Sequence, residues 1–322
     1  MKKVLKRTFV AVAALYLFII IAGPVVMLWL FTDKHVTYSR IYEASEAGLP
    51  DPDTLWLRTA DGLRIHTFEV KPEGEVKGAV ICLSGIENPS VTAFYGHARE
   101  FRELGLTTLM PDVRGHGESD GERICLAYEE TADVKAITEY LKATYADIPV
   151  IVMGLSMGGA IAVRSIGEND DIDALVSISA YSSIQDFMWW QFGRFITPVL
   201  AYPVKLTTGL YASFMFGCNA FKATPLNAIG NLDGRPALMM QSRGDTQVPY
   251  LCFERLTEKA ATVTDNLSTY VVDGDEHFVS NSFGIPEDDK NYNSALLGFI
   301  KAVIGDGQPE SDSGSLFRQD VK

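Results

Sequence analysis

Between Pro149 and Val163 the chain passes from the apolar run Pro149-Val150-Ile151-Val152-Met153, through Gly154-Leu155-Ser156-Met157-Gly158, into a small-residue stretch. A run that short, ended by glycine, reads as a buried strand, and the small-residue stretch reads as the start of a helix. Glycines on either side of a serine permit a turn too tight for larger side chains and lift the hydroxyl clear of the sheet edge. The helix behind the turn aims unpartnered N–H groups and the positive end of its dipole at that hydroxyl. Strand, sharp turn and helix in this order demand an α/β architecture, and they make Ser156 a candidate nucleophile.

The alternation continues in both directions. Strands are expected over 79–83, 107–110, 174–178, 237–241 and 268–272, and helices over 93–104, 132–145, 251–260 and 293–304. In the second of these helices Val134, Ile137 and Leu141 mark a buried stripe at helical spacing. Ahead of them, Leu55 to Val70 reads as a hairpin around a two-residue Asp61-Gly62 turn. Such alternation specifies a mostly parallel sheet covered by helices on both faces. Its functional sites gather at the carboxyl ends of strands. With 322 residues, 47% of them hydrophobic, one large domain has enough apolar material for its core.

One stretch breaks the rhythm. Residues 181–232 separate two strands and carry Phe187, Trp189, Trp190, Phe192, Phe195, Tyr202, Tyr211, Phe214 and Phe216. It reads as a helical cap whose aromatics pack on the body, line an apolar acyl pocket or rest on a membrane.

From Thr8 to Phe31 there is no charged residue, and at 1.5 Å per residue such a helix is long enough to cross a bilayer. An uncleaved transmembrane anchor is the expectation. The competing reading is a cleaved signal peptide, against which stand the length of the run and the lack of an A-x-A-like site at its end. Lys2, Lys3, Lys6 and Arg7 precede the span and should stay cytoplasmic, which places everything after Asp33 outside. The chain's 28 basic residues are outnumbered by 41 acidic ones, so its net charge of -13 argues against nucleic acid as a partner. Cys82, Cys125, Cys218 and Cys252 are too few and scattered for a disulfide framework, though one or two bridges stay open.

A serine hydroxyl needs a base to take its proton, and the base needs an acid to fix its tautomer. Of the five histidines, His35, His66, His97, His116 and His277, the last comes after the final expected strand and would open at the same sheet edge as Ser156. His277 is the candidate base. Asp245, just past another strand end, is the candidate acid and gives the order Ser, Asp, His. Asp273 and Asp275 are alternatives too close in sequence to reach around to the ring, and Asp186 is the next carboxylate after strand 174–178. Backbone N–H groups of Met157 and of Ile86, in the loop Ser84-Gly85-Ile86, are the candidate oxyanion donors. No cluster has metal-ligand spacing, so no metal is expected.

Together, Gly154 to Gly159, the loop Asp112-Val113-Arg114-Gly115-His116-Gly117-Glu118-Ser119, the Asp245 loop and His277 resemble the α/β-hydrolase superfamily, in particular its serine aminopeptidase-like and monoacylglycerol lipase-like branch. The resemblance covers residues 54–304 and implies a cofactor-free serine hydrolase working through an acyl-enzyme, with His116 structural. Ser84-Gly85 stands where many relatives carry His-Gly, and Ser242-Arg243-Gly244 stands ahead of the acid where many carry His-Gly. The expected organisation is a basic stub and anchor over 1–31 with the span at 8–31, a connector over 32–53, a hydrolase domain over 54–304 with its cap at 181–232, and a disordered tail over 305–322. The leading expectation is a membrane-anchored carboxylic-ester hydrolase for small or lipid-like acyl esters. A peptidase of the same superfamily and a non-catalytic membrane scaffold on the same fold are the alternatives.

Overall fold

The computed structural model describes residues 1–87 and 89–305, so the tail expected over 305–322 lies outside the described residues apart from Gly305. Eight strands form one sheet: β1 (Asp53–Arg58), β2 (Arg64–Val70), β3 (Gly78–Leu83), β4 (Leu106–Pro111), β5 (Val150–Leu155), β6 (Ala174–Ile178), β7 (Ala237–Ser242) and β8 (Leu267–Val272). Their order across the sheet is β1-β2-β4-β3-β5-β6-β7-β8. β1 and β2 are antiparallel to each other, and β2 is antiparallel to β4. Every pairing from β4 to β8 is parallel.

Parallel strands covered on both faces send alternate side chains into two cores. In β5, Val150 and Val152 enter one core while Ile151, Met153 and Leu155 enter the other. The first core lies under α3 (Thr131–Thr144), α4 (Met157–Glu168) and α9 (Tyr250–Ala260), and takes in Val134, Ile137 and Leu141. The second lies under α2 (Tyr95–Glu103) and α10 (Lys290–Val303). This is the α/β-hydrolase architecture. Between β6 and β7 the chain makes α5 (Ile184–Ile196), α6 (Pro198–Ala201), α7 (Val204–Met215) and α8 (Pro225–Ala228).

One expectation needs correction. The hairpin does not close on a two-residue turn: Arg58 pairs with Arg64, leaving a five-residue loop. Thr59 N–H donates to Leu63 O and Gly62 N–H to Thr59 O, both at 2.9 Å. Thr59 Oγ1 also accepts from Leu63 N–H, so the threonine side chain sets the loop length that Asp61-Gly62 alone did not. The stretch expected as a connector meets the body at Val36. Val36 N–H donates to Gly115 O at 2.7 Å, and its carbonyl accepts from Gly117 N–H. Of the bridges that the sequence left open none is formed: all four cysteines are free thiols.

The N-terminal helix α1 (Lys2–Thr32) is long and apolar enough to cross a membrane. Its buried residues are Ile20, Pro24, Leu28 and Thr32, steps of four that form one stripe along the helix. That stripe faces the cap. Tyr16 Oη donates to Leu200 O and Thr207 Oγ1 to Ile20 O, each at 2.9 Å. At Gly23 the Phe192 ring lies so close that a Cβ would meet it at 2.8 Å.

Candidate active site

The turn between β5 and α4 is built by close approach of backbone. A Cβ on Gly154 would sit 2.0 Å from Gly158 O, and one on Gly158 would sit 2.2 Å from Leu83 O. Neither position admits a side chain. Ser156 between them has φ 58° and ψ -116°, a conformation costly for any residue but glycine. Its N–H is spent on the sheet, donating to Ile178 O at 2.8 Å. Met157 is therefore the first residue of α4 whose N–H points ahead of the helix without an intrahelical acceptor.

Asp245 and His277 come together from the ends of β7 and β8. His277 Nδ1 lies 2.7 Å from Asp245 Oδ2, and both side chains are buried. Asp245 Oδ2 also accepts from Gln241 Nε2 at 2.8 Å, while Oδ1 accepts from the N–H groups of Gln247 and Val248 at 2.7 and 3.0 Å. Three fixed donors besides the ring hold the carboxylate in one orientation. With Nδ1 engaged, Nε2 is the nitrogen left to a cavity of ≈ 440 Å³ whose walls include both His277 and Ser156.

The histidine loop is fastened on two sides by residues that sequence reasoning passed over. Ser179 Oγ donates to His277 O at 2.6 Å, and Ser242 Oγ to Glu276 O at 2.5 Å. Both serines directly end or follow strands, the one signal that could have found them. The other carboxylates near this edge are committed elsewhere. Asp273 pairs with Arg243 Nε at 3.1 Å. Asp186 lies among Lys205, Arg255 and Ser182, and although burial opposes ionisation, the two cations hold its carboxyl below the usual range.

Ile86 borders the Ser156 cavity, and its carbonyl lies 2.7 Å from His116 Nε2. His116 Nδ1 stands 3.1 Å from Arg114 O. Burial pushes the imidazole down from its ordinary pKa, against the two carbonyls, which favour its protonated form. His116 thus positions the Ile86 loop rather than reacting. Ser84, which replaces the usual histidine of that loop, donates to Pro89 O and ties the loop from within.

A second cavity of ≈ 270 Å³ begins at Ser156 and Met157 and runs under the cap, walled by Tyr181, Ile184, Phe187 and Met188. Leu28 and Phe31 of α1 close it, and Gln247 borders both cavities. The sequence marks none of these last three as site residues. Gln247 lies two positions beyond the acid, but nothing in its sequence surroundings sets it apart as lining a site. Among the described residues no group of His, Cys, Asp and Glu could hold a metal ion.

The model of the family described as serine aminopeptidase, S33, matches residues 74–214, a stretch that includes Ile86, Ser156 and most of the cap but neither Asp245 nor His277. An uncharacterized protein of Bacillus subtilis (strain 168) is 24% identical over 225 residues, 69% of this chain and 72% of that one. The human monoglyceride lipase is 31% identical over 122 residues, which span 37% of this chain and 40% of the lipase. Among solved structures, an esterase of Pyrococcus furiosus superposes with a TM-score of 0.65 at 19% identity, covering 85% of this chain and all of the esterase chain (100%). An acylaminoacyl peptidase of Pyrococcus horikoshii superposes with a TM-score of 0.60 at 16% identity, over 80% of this chain and 42% of the peptidase. The chain therefore has the α/β-hydrolase fold, and over residues 74–214 it is similar to the family described as serine aminopeptidase, S33.

Proposed function

We propose that this chain is a membrane-anchored serine esterase that cleaves lipid-like acyl esters. The observation that carries the reading is the cavity shared by Ser156 and His277, with Asp245 held 2.7 Å behind the imidazole. Ser156 Oγ attacks the ester carbonyl carbon while His277 Nε2 accepts its proton. The C–O bond to the alcohol then breaks, and the alcohol leaves with that proton. Water attacks the resulting acyl-enzyme, gives a proton to the same nitrogen, and releases the acid as Ser156 regains its hydrogen. The N–H groups of Ile86 and Met157 hold the oxyanion, each worth about a hundredfold to a thousandfold in rate.

An ester fits the surroundings better than an aminoacyl substrate. Among the described residues lining the two cavities none is acidic, so an α-ammonium group would find no carboxylate there. The apolar slot under the cap suits an acyl chain, in keeping with the monoglyceride lipase relative. Retention of α1 is favoured by its packing: cleavage would bare the cap face that now covers Ile20, Pro24 and Leu28. The basic cluster at residues 2–7 favours a cytoplasmic N-terminus and an external hydrolase domain.

A membrane-impermeant fluorophosphonate applied to intact cells tests nucleophile and topology together. Labelling at Ser156, abolished in Ser156→Ala, is the expected result. Labelling only after permeabilisation overturns the orientation, and no labelling of the folded protein in either case overturns the nucleophile and favours a binding scaffold.

A further inference from the structure

The esterase reading treats α1 as a tether, yet the structure makes it more than that. Leu28 is 1% exposed although it belongs to a helix whose Phe18, Ile21, Val26 and Leu30 are all exposed. What buries it is the cap, and what it faces is the cavity that begins at Ser156. Phe31, almost one turn further on, borders the same cavity. Just downstream, Ser39, Arg40 and Tyr42 border the other cavity at Ser156. The N-terminal segment thus crosses the mouth of the site and walls it on both sides. None of these residues lies in the 74–214 stretch that the family model matches.

Resting on the esterase reading, we propose that α1 is a wall of the acyl-binding pocket and that Leu28 and Phe31 set the acyl-chain preference. The placement says where the acyl chain comes from. The cap runs along α1 from Tyr16 to Leu28, which at 1.5 Å per residue is about 18 Å of helix. That is more than half the hydrocarbon thickness of about 30 Å. A cap packed there stands within the outer leaflet, and its side chains match: Phe195 is 86% exposed and Phe214 84%, and Val199, Leu206 and Leu210 of the same cap are exposed too. In water so many exposed apolar side chains are costly; against lipid they are solvated. The pocket between cap and α1 therefore lies at acyl-chain depth, and its occupant is a lipid acyl chain taken from the leaflet.

Full-length protein in phosphatidylcholine nanodiscs provides the test. The quantity read is the ratio of kcat/KM for p-nitrophenyl dodecanoate to that for p-nitrophenyl acetate. Leu28→Trp, which fills the slot, lowers the ratio at least about tenfold, and Phe31→Ala raises it severalfold, because a hydrophobic pocket discriminates by a few methylenes' worth of contact. Leu30→Trp, on the lipid-facing side of the same helix, leaves the ratio within about twofold. Independently of turnover, a diazirine-bearing dodecanoic acid cross-links wild-type protein at Leu28 or Phe31 as well as at Phe187 or Met188. A ratio unmoved by both pocket variants overturns the proposal, as do cross-links confined to Phe18, Val26 and Leu30. Absence of ester turnover in the wild type overturns the esterase reading alone, and the cross-linking pattern then still decides whether α1 is a wall.

Discussion

The molecule contains two buried histidine–aspartate pairs of nearly the same shape. His277 Nδ1 lies 2.7 Å from Asp245 Oδ2, and His66 Nδ1 lies 2.9 Å from Asp112 Oδ2. Judged by that contact alone, either could orient a base. Their surroundings separate them. His66 sits inside β2, with its ring 5.1 Å from Trp56 and 4.6 Å from Phe68, so aromatic rings occupy the space where a substrate would have to enter. His277 sits in a loop at the carboxyl edge of the sheet, and its free side borders the cavity it shares with Ser156. The Asp112 carboxylate also accepts from Glu118 N–H at 3.2 Å, and Gly117 packs against it so tightly that a Cβ would meet Oδ2 at 2.3 Å. One pair closes a loop onto the sheet, and the other leaves a nitrogen for chemistry. A carboxylate behind an imidazole is thus evidence of a fixed ring; only the third partner gives the ring a reaction.

Exchanging the members of each pair breaks or sharpens this contrast. The largest effect is expected in the His277 pair: His277→Gln and Asp245→Asn each lower kcat/KM for a short ester by about 10³ to 10⁴. His66→Gln, measured in the same assay, stays within a few-fold of wild type. Equal losses from His66→Gln and His277→Gln would erase the distinction. The next effect is reversed in kind. Asp112→Asn and His66→Gln lower the unfolding free energy by about 1–3 kcal/mol, since each leaves a buried polar partner unsatisfied, and denaturant titration reads this directly.

How far these roles could be read beforehand differs from residue to residue. The strand-then-helix alternation is legible because the strands are short continuous apolar runs, because helices such as Thr131–Thr144 show a stripe of period 3.6, and because glycine marks the turn at Ser156. Asp245 and His277 are legible as strand-end residues, whereas His66 lies within a hairpin strand and its aspartate partner 46 residues away gives no local sign. The packing of α1 on the cap is invisible for a physical reason. In a run without a charged residue, the stripe Ile20, Pro24, Leu28 has few polar neighbours to contrast with, so exposed and protein-facing sides look alike. The five-residue hairpin loop is equally hidden, because Thr59, through its backbone and its side chain, joins Gly62 in closing it, and threonine there is no turn signal by itself.

The smallest expected effect concerns the loop that carries Asp112. His35 meets two backbone carbonyls of that region, with Nδ1 2.8 Å from Gly121 O and Nε2 2.9 Å from Gly117 O. Two acceptors call for two donors, and although burial works against the cation, these carbonyls raise the pKa of His35 above its ordinary 6.5. The stability this clasp contributes is full below about pH 6.5 and is lost as pH rises through the raised folded-state value. The Tm difference between wild type and His35→Ala should therefore be largest near pH 5.5 and shrink toward pH 8.5. A difference that grows with pH would show that the ring is held neutral.

On the membrane-anchored reading proposed above, the four-residue stepping of the α1 stripe constrains the bilayer as well as the protein. For a spanning helix locked at Ile20, Pro24, Leu28 and Thr32, a slide of one residue would rotate every one of them out of register with the cap. Tilt and depth are then set by packing rather than by hydrophobic matching. A bilayer thicker or thinner than the protein prefers has to deform around it, at fractions of a kcal/mol per Å, because the helix has no freedom to adjust.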